Sequence, residues 1–134
     1  MTEVQAVIAI DGPSGVGKST ISRKVARSLG FTYLDTGAMY RAVGLFLQSH
    51  RVDLTDDQAI RSTLAQIHIQ LLPGKNEDDD TGVLLNGEDV SDAIRTPEMA
   101  MVASKVSAIP LVREKLTTLQ RQLGNTGGVV AEGR

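Results

Sequence analysis

The run Gly12-Pro13-Ser14-Gly15-Val16-Gly17-Lys18-Ser19 fits G-x-x-x-x-G-K-[ST] at every fixed position. These residue types at this spacing suit one task, the gripping of phosphate. Glycines let main-chain N–H groups turn inward around phosphate oxygens, and a helix starting at the lysine adds unpaired donors and a positive dipole end. Lys18 is long enough to reach between the β and γ phosphates of a nucleotide. Ser19 offers a hydroxyl to Mg²⁺, which bridges the same oxygens. The plainer reading, a glycine-rich turn with a solvated lysine, is disfavoured by the flanking pattern of strand and helix.

A second group follows in Leu34-Asp35-Thr36-Gly37-Ala38-Met39-Tyr40-Arg41. In a parallel sheet the C-terminal ends of the strands share one rim, where ligands bind. Arg41 falls in the first turns of the next helix, where its guanidinium could hold a second phosphate bidentately. Two anion sites on one rim suggest transfer between two phosphates. From spacing alone, a solvated helix residue describes Arg41 slightly better. The N-K-x-D run of guanine-specific switch proteins does not occur.

These groups need elements to position them. Val4 to Ile10 is a short β-branched run that reads as a strand buried on both faces. Ile21, Val25, Ala26 and Leu29 recur at helical spacing, with Gly30 at the helix stop. Phe31 to Leu34 predicts a second strand ending at Asp35. Thr36 is the expected N-cap of a helix carrying Met39, Val43, Phe46 and Leu47 as far as about His50. Thr55 and Gln58 have capping-box spacing. Ile67, Ile69 and Leu71 then alternate with polar residues, and Val83 to Val90 around Asn86-Gly87 predicts a hairpin, so Ile67 to Val90 forms a small antiparallel insert. Thr96-Pro97 opens a helix with Met99, Val102, Val106 and Ile109 on one face. Another carries Val112, Leu116, Leu119 and Leu123 and closes at Gly124. Gly128 to Ala131 predicts a third core strand, giving the order 2-3-1. The fold class is α/β.

Composition narrows the chemistry. The 134 residues carry a net charge of −2 and no cysteine. That balance argues against nucleic-acid binding through bulk charge, and the lack of thiols excludes disulfides, thiolate metal sites and a cysteine nucleophile. No apolar run suits a bilayer or a signal peptide, so a cytoplasmic protein without membrane attachment is expected. His50 and His68 are too far apart to suggest a metal pair, and the acidic run Glu77 to Asp80 reads as a solvated turn.

With those residues in view, the segment Ile8 to Arg41, IAIDGPSGVGKSTISRKVARSLGFTYLDTGAMYR, resembles the start of bacterial cytidylate kinases. The likeness continues through Ala103 to Arg113, ASKVSAIPLVR, and Val130 to Arg134, VAEGR. It implies a P-loop nucleoside monophosphate kinase fold: a parallel sheet with helices on both faces and a small antiparallel insert, in which about 62–96 binds the monophosphate. It implies the reaction of ATP with CMP or dCMP, Mg²⁺ as cofactor, and a monomer. By this resemblance Gly12, Pro13, Ser14, Gly15, Val16, Gly17, Lys18, Ser19 and Thr20 hold the ATP phosphates, with Ser19 on the metal. Arg41 and Arg134 bind the acceptor phosphate and, with Lys18, act in catalysis. Ser104 and Arg113 contact cytosine, and Thr36 stands where many members have Ser and keeps a polar contact with CMP. Read without the resemblance, Ser104 is a small helix residue and Arg113 an exposed charge.

The same resemblance implies further residues beyond Arg134: an Asp after the Gly-Arg pair, then a lid with more arginines. On that reading residues 1–134 are the N-terminal part of one kinase domain, apparently truncated. The short chain is expected to bind nucleotide phosphates weakly, with little kinase activity, and a longer parent to be competent. Competing expectations are another small-molecule P-loop kinase, or a noncatalytic fragment that binds nucleotide.

Overall fold

The structure is a computed structural model and describes residues 7–10, 18–72 and 82–132. It divides into two compact units, one made of residues 1–35, 71–82 and 120–134, the other of 36–70 and 83–119.

The first unit is built on a three-stranded sheet in the order β1-β6-β2, where β1 is Val7–Ile10, β2 is Thr32–Tyr33 and β6 is Val129–Glu132. All pairings are parallel. This is the order 2-3-1 expected from the three apolar runs. Helix α1, Lys18–Leu29, packs on β6 and β2. Ala26, Tyr33 and Val130 form the buried centre, with Ile8, Val25 and Phe31 against it. The inward stripe of α1 differs from the expected one: Ser22 and Ala26 are buried, whereas Ile21 and Leu29 are 52% and 50% exposed. Ile21 sits about a third of a turn off the Ser22–Ala26 stripe, and Leu29 lies in the last turn, beside the stop. That stop is a Schellman motif. Phe31 N–H donates to Ala26 O (2.7 Å) and Gly30 N–H to Arg27 O (3.2 Å), with Gly30 at φ 68°.

The second unit is mainly helical. It contains α2 (Thr36–Ser49), α3 (Asp57–Leu64), a 3-10 turn at Ala93–Arg95, α4 (Pro97–Val106) and most of α5 (Pro110–Thr126). Met39, Val43 and Leu47 of α2, Ile60 of α3, Met99 and Val106 of α4, and Val112 and Leu116 of α5 are all buried. Apart from Ile60, they fall on the apolar stripes that the sequence spacing picks out.

Helix boundaries shift in three places. Thr36 is the first helical residue of α2 rather than its N-cap, which leaves Asp35 in the flanking position. Helix α3 is capped by Asp56, whose carboxylate accepts Ala59 N–H at 3.2 Å. Thr55 is drawn away from capping because its N–H and hydroxyl both donate to Asp53 Oδ1, at 2.9 and 2.6 Å. Helix α5 continues past Gly124 and ends at Gly127, φ 74°, whose N–H donates to Gly124 O. Thr96 caps α4 as expected, its hydroxyl accepting Met99 N–H at 3.1 Å.

The small sheet has the order β3-β4-β5, with β3 at Ile69–Leu72, β4 at Gly82–Leu85 and β5 at Glu88–Asp89. The β4–β5 pair is antiparallel, closed by Asn86 (φ 50°) and Gly87 (φ 84°) in the expected tight turn. Asn86 does more than turn the chain. Its Oδ1 accepts His68 N–H at 2.6 Å and its Nδ2 donates to Gln66 O at 3.0 Å, tying the turn to the approach of β3. The acidic run Glu77 to Asp80 lies outside the described residues.

Candidate functional site

The rim of the parallel sheet positions the first candidate group. Ile10, at the end of β1, is in register with Glu132, at the end of β6. The parallel strands β1 and β6 therefore end at the same edge of the sheet. Gly12, Pro13, Ser14, Gly15, Val16, Gly17 and Arg134 lie outside the described residues. Lys18, Ser19 and Thr20 form the first turn of α1, and their side chains are not described. A strand, a seven-residue connection and a helix beginning at the lysine are the context that a phosphate loop requires.

The remaining candidates belong to the second unit. Thr36 is exposed at the start of α2, and Arg41 is half-buried in its second turn. Ser104 is exposed on α4, its carbonyl accepting the Ser107 hydroxyl at 2.8 Å. Arg113 is exposed in the first turn of α5, where its carbonyl accepts the Thr117 hydroxyl at 3.0 Å. Neither the Arg41 nor the Arg113 guanidinium has a hydrogen bond or ion pair with any described residue. For Arg41 this matters, because withdrawing a cation partly from water without a partner costs energy that an arriving anion recovers.

Helices α2 and α4, which carry Arg41 and Ser104, approach closely at a residue the motif analysis passes over. A Cβ on Gly44 would lie 2.9 Å from Val102 Cγ1 and 3.7 Å from Ala103 N. Gln48 Nε2, one turn further along α2, donates to Glu98 Oε1 at 3.2 Å, one turn earlier on α4. The pairing therefore runs in opposite senses along the two helices, with Arg41 one turn before the contact and Ser104 just beyond it. A glycine in the middle of an otherwise sound amphipathic helix is the signal that could have marked this crossing.

Asp53 is held below the ordinary carboxylate range by the Thr55 hydroxyl and then by the Thr55 N–H. His50 stacks on Phe46, with ring centroids 4.1 Å apart, and its Nδ1 lies 2.9 Å from Phe46 O. Among the described residues no group of three His, Cys, Asp or Glu could hold a metal, and no helix is long and apolar enough to cross a membrane.

Comparison with known proteins agrees with the motifs. The sequence profile of the family described as Cytidylate kinase matches residues 8–134. The chain is 52% identical over 132 residues to a cytidylate kinase of Syntrophotalea carbinolica, covering 97% of this chain and 54% of that protein. It is 49% identical over 127 residues to the cytidylate kinase of Carboxydothermus hydrogenoformans, covering 95% of this chain and 56% of that protein. A bifunctional pantoate ligase/cytidylate kinase of Synechocystis sp. matches at 49% over 128 residues, 96% of this chain and 25% of its own length. The chain thus spans about half the length of the first two relatives. The parallel sheet with its helices and the small antiparallel sheet are consistent with a nucleoside monophosphate kinase fold. The motif blocks, the strand order and a profile match that begins in β1 and runs to Arg134 lead to one assignment: the chain belongs to the cytidylate kinase family.

Proposed function

We propose that these residues supply the donor cradle and the acceptor site of a kinase that moves the γ-phosphoryl group of ATP to CMP or dCMP, giving ADP and the corresponding diphosphate. The observation that carries this reading is Arg41, half-buried and without an anionic partner among the described residues, in a chain of the cytidylate kinase family. In this reading residues 12–20 hold the ATP phosphates, and Lys18 supports charge as it moves from one phosphate to the other. Arg41 and Arg134 clamp the acceptor phosphate. Thr36, Ser104 and Arg113 orient the nucleoside, and the segment of about 62–96 helps to enclose the monophosphate.

Mg²⁺ fits the donor set. Ser19 would give it one hydroxyl and the nucleotide phosphates the remaining charge, as is usual for a cation that keeps its waters and has no all-protein cage. When bound, it neutralises charge on the phosphates. No general base is required, because the acceptor oxygen is already anionic and the protein's work is positioning and charge stabilisation. We place this reaction in the cytoplasm, carried out by a monomer.

The test is phosphoryl transfer from ATP across CMP, dCMP, UMP, AMP and shikimate, measured on this chain and on any longer product of the same reading frame. Cytidine monophosphates turned over fastest support the proposal. A preference for AMP, UMP or shikimate contradicts it.

A further inference from the structure

Within the second unit, α2, the segment after it and α4 line a half-open cavity of about 320 Å³. This lies in the size range of small-molecule sites, which begins at about 300 Å³. None of Thr36, Arg41, Ser104 or Arg113 lines it. Its wall is apolar: Leu47 and Val106 are buried, and Val52, Leu54 and Val102 are half-buried. Two cations, Arg51 and Lys105, are exposed on its lining, one from each side.

The end of α2 explains how Arg51 comes to be there. Val52 N–H donates to Leu47 O at 3.1 Å and Arg51 N–H to Gln48 O at 3.0 Å. This is the same Schellman pattern that ends α1. There the left-handed position is taken by Gly30 at φ 68°, whereas here it is taken by Arg51 at φ 50°. An arginine in that conformation is strained where glycine would be relaxed. The motif fixes the Arg51 backbone beside the Leu47–Val52 wall, and strain kept at one position in this way points to a use for the side chain.

Both cations stand at helix C-terminal ends, Lys105 in the last turn of α4 and Arg51 just past the end of α2. Neither the Arg51 guanidinium nor the Lys105 ammonium has a hydrogen bond or ion pair with any described residue. Glu98, which accepts from Gln48 Nε2, does not line the cavity. We infer that this α2–α4 cavity binds a small organic anion, an apolar body seated against Leu47, Val102 and Val106 with a phosphate or carboxylate head held between Arg51 and Lys105. The inference is independent of the proposed CMP site, because it uses none of its residues.

Phenyl phosphate is a suitable probe, followed by amide shifts in ¹⁵N-labelled protein with excess CMP present. Saturable shifts at Gly44, Val52, Val102 and Val106 are expected. Benzyl alcohol, which lacks the anion, and inorganic phosphate, which lacks the ring, should each bind more weakly. Replacing both cations, Arg51→Gln with Lys105→Gln, should weaken phenyl phosphate by about three- to tenfold, the range for two partly exposed charge contacts. Arg51→Gly should weaken it as well while leaving the protein at least as stable, which separates loss of binding from loss of fold. The inference is overturned if the shifts fail to saturate, if they fall only at Lys18–Thr20 or at Thr36, Arg41, Ser104 and Arg113, if either half-probe binds as tightly, or if the double variant keeps its affinity.

Discussion

Gly44→Ala gives opposite signs when read from helix propensity and from the structure. By propensity alone, exchanging glycine for alanine inside a helix stabilises by about 1 kcal/mol. In the structure the new Cβ would stand 2.9 Å from Val102 Cγ1, while its next neighbours, Ala103 N and Val102 C, are at an ordinary 3.7 Å. Carbon atoms in contact prefer about 3.5–4.0 Å, so one of the two groups must yield by about 0.6 Å or more. The obstacle is one methyl, but it belongs to a β-branched side chain whose χ1 is nearly fixed in a helix, so yielding means an unfavourable rotamer or a shift of α4. Overpacking of this kind costs about 1–3 kcal/mol. Set against the propensity gain, Gly44→Ala should destabilise by up to about 2 kcal/mol. Chemical denaturation of a double-mutant cycle with Val102→Ala isolates the cause. Without Cγ1 the clash disappears, so Gly44→Ala in the Val102→Ala background should stabilise, with a coupling of about 1–3 kcal/mol. Additive effects, or stabilisation in both backgrounds, would refute the argument.

Arg51→Gly should raise denaturation stability by about 0.5–1 kcal/mol, since relief of the left-handed strain outweighs the added freedom of the unfolded chain; a loss of stability would show that the Arg51 side chain itself holds the loop. Asp53 has a lowered pKa, so its contribution to stability is present above the unfolded value and lost as pH falls through the folded one, in acid below about pH 4. Thr55→Val should move the Asp53 titration, followed by carboxyl ¹³C shifts, back toward the ordinary range and flatten that acid dependence. An unmoved titration would remove the Thr55 hydroxyl as the cause. In a longer product of the same reading frame, Lys18→Ala should cost about 2–4 kcal/mol of transition-state stabilisation in CMP phosphorylation, the scale for removing one preorganised donor; near-normal turnover would contradict its role.

The parts of the fold that were legible are those set by local chemistry. The parallel order of three apolar strands, the Asn86-Gly87 turn and the Thr96-Pro97 helix start each follow from a few adjacent residues, and all three are present. The misread boundaries are places where two local signals compete. Thr55 has capping spacing, but Asp53 captures its hydroxyl and leaves the cap to Asp56. Gly124 looks like a stop, but α5 absorbs it and ends at Gly127 instead. Arg51 and Gly44 are harder to read for a different reason. The first occupies a slot where glycine is usual, and the second matters only through a helix distant in sequence. The proposed phosphate loop rests on spacing, because phosphate geometry dictates which residue types it takes. The roles proposed for Arg41, Ser104 and Arg113 rest on the family resemblance, since one arginine or serine on a helix looks like any other.

The central claim is that the second unit of this cytidylate kinase family chain holds the nucleoside monophosphate while the start of α1 holds the donor. Amide shift mapping of the ¹⁵N-labelled chain with CMP, then with an ATP analogue and Mg²⁺, tests it most directly and registers even weak binding. The account predicts that CMP moves Thr36, Arg41, Ser104 and Arg113 together along one saturation curve, that the ATP analogue moves Lys18, Ser19 and Thr20, and that Arg41→Met abolishes the first set alone. CMP shifts that leave those four residues unmoved, or that survive Arg41→Met unchanged, would contradict it.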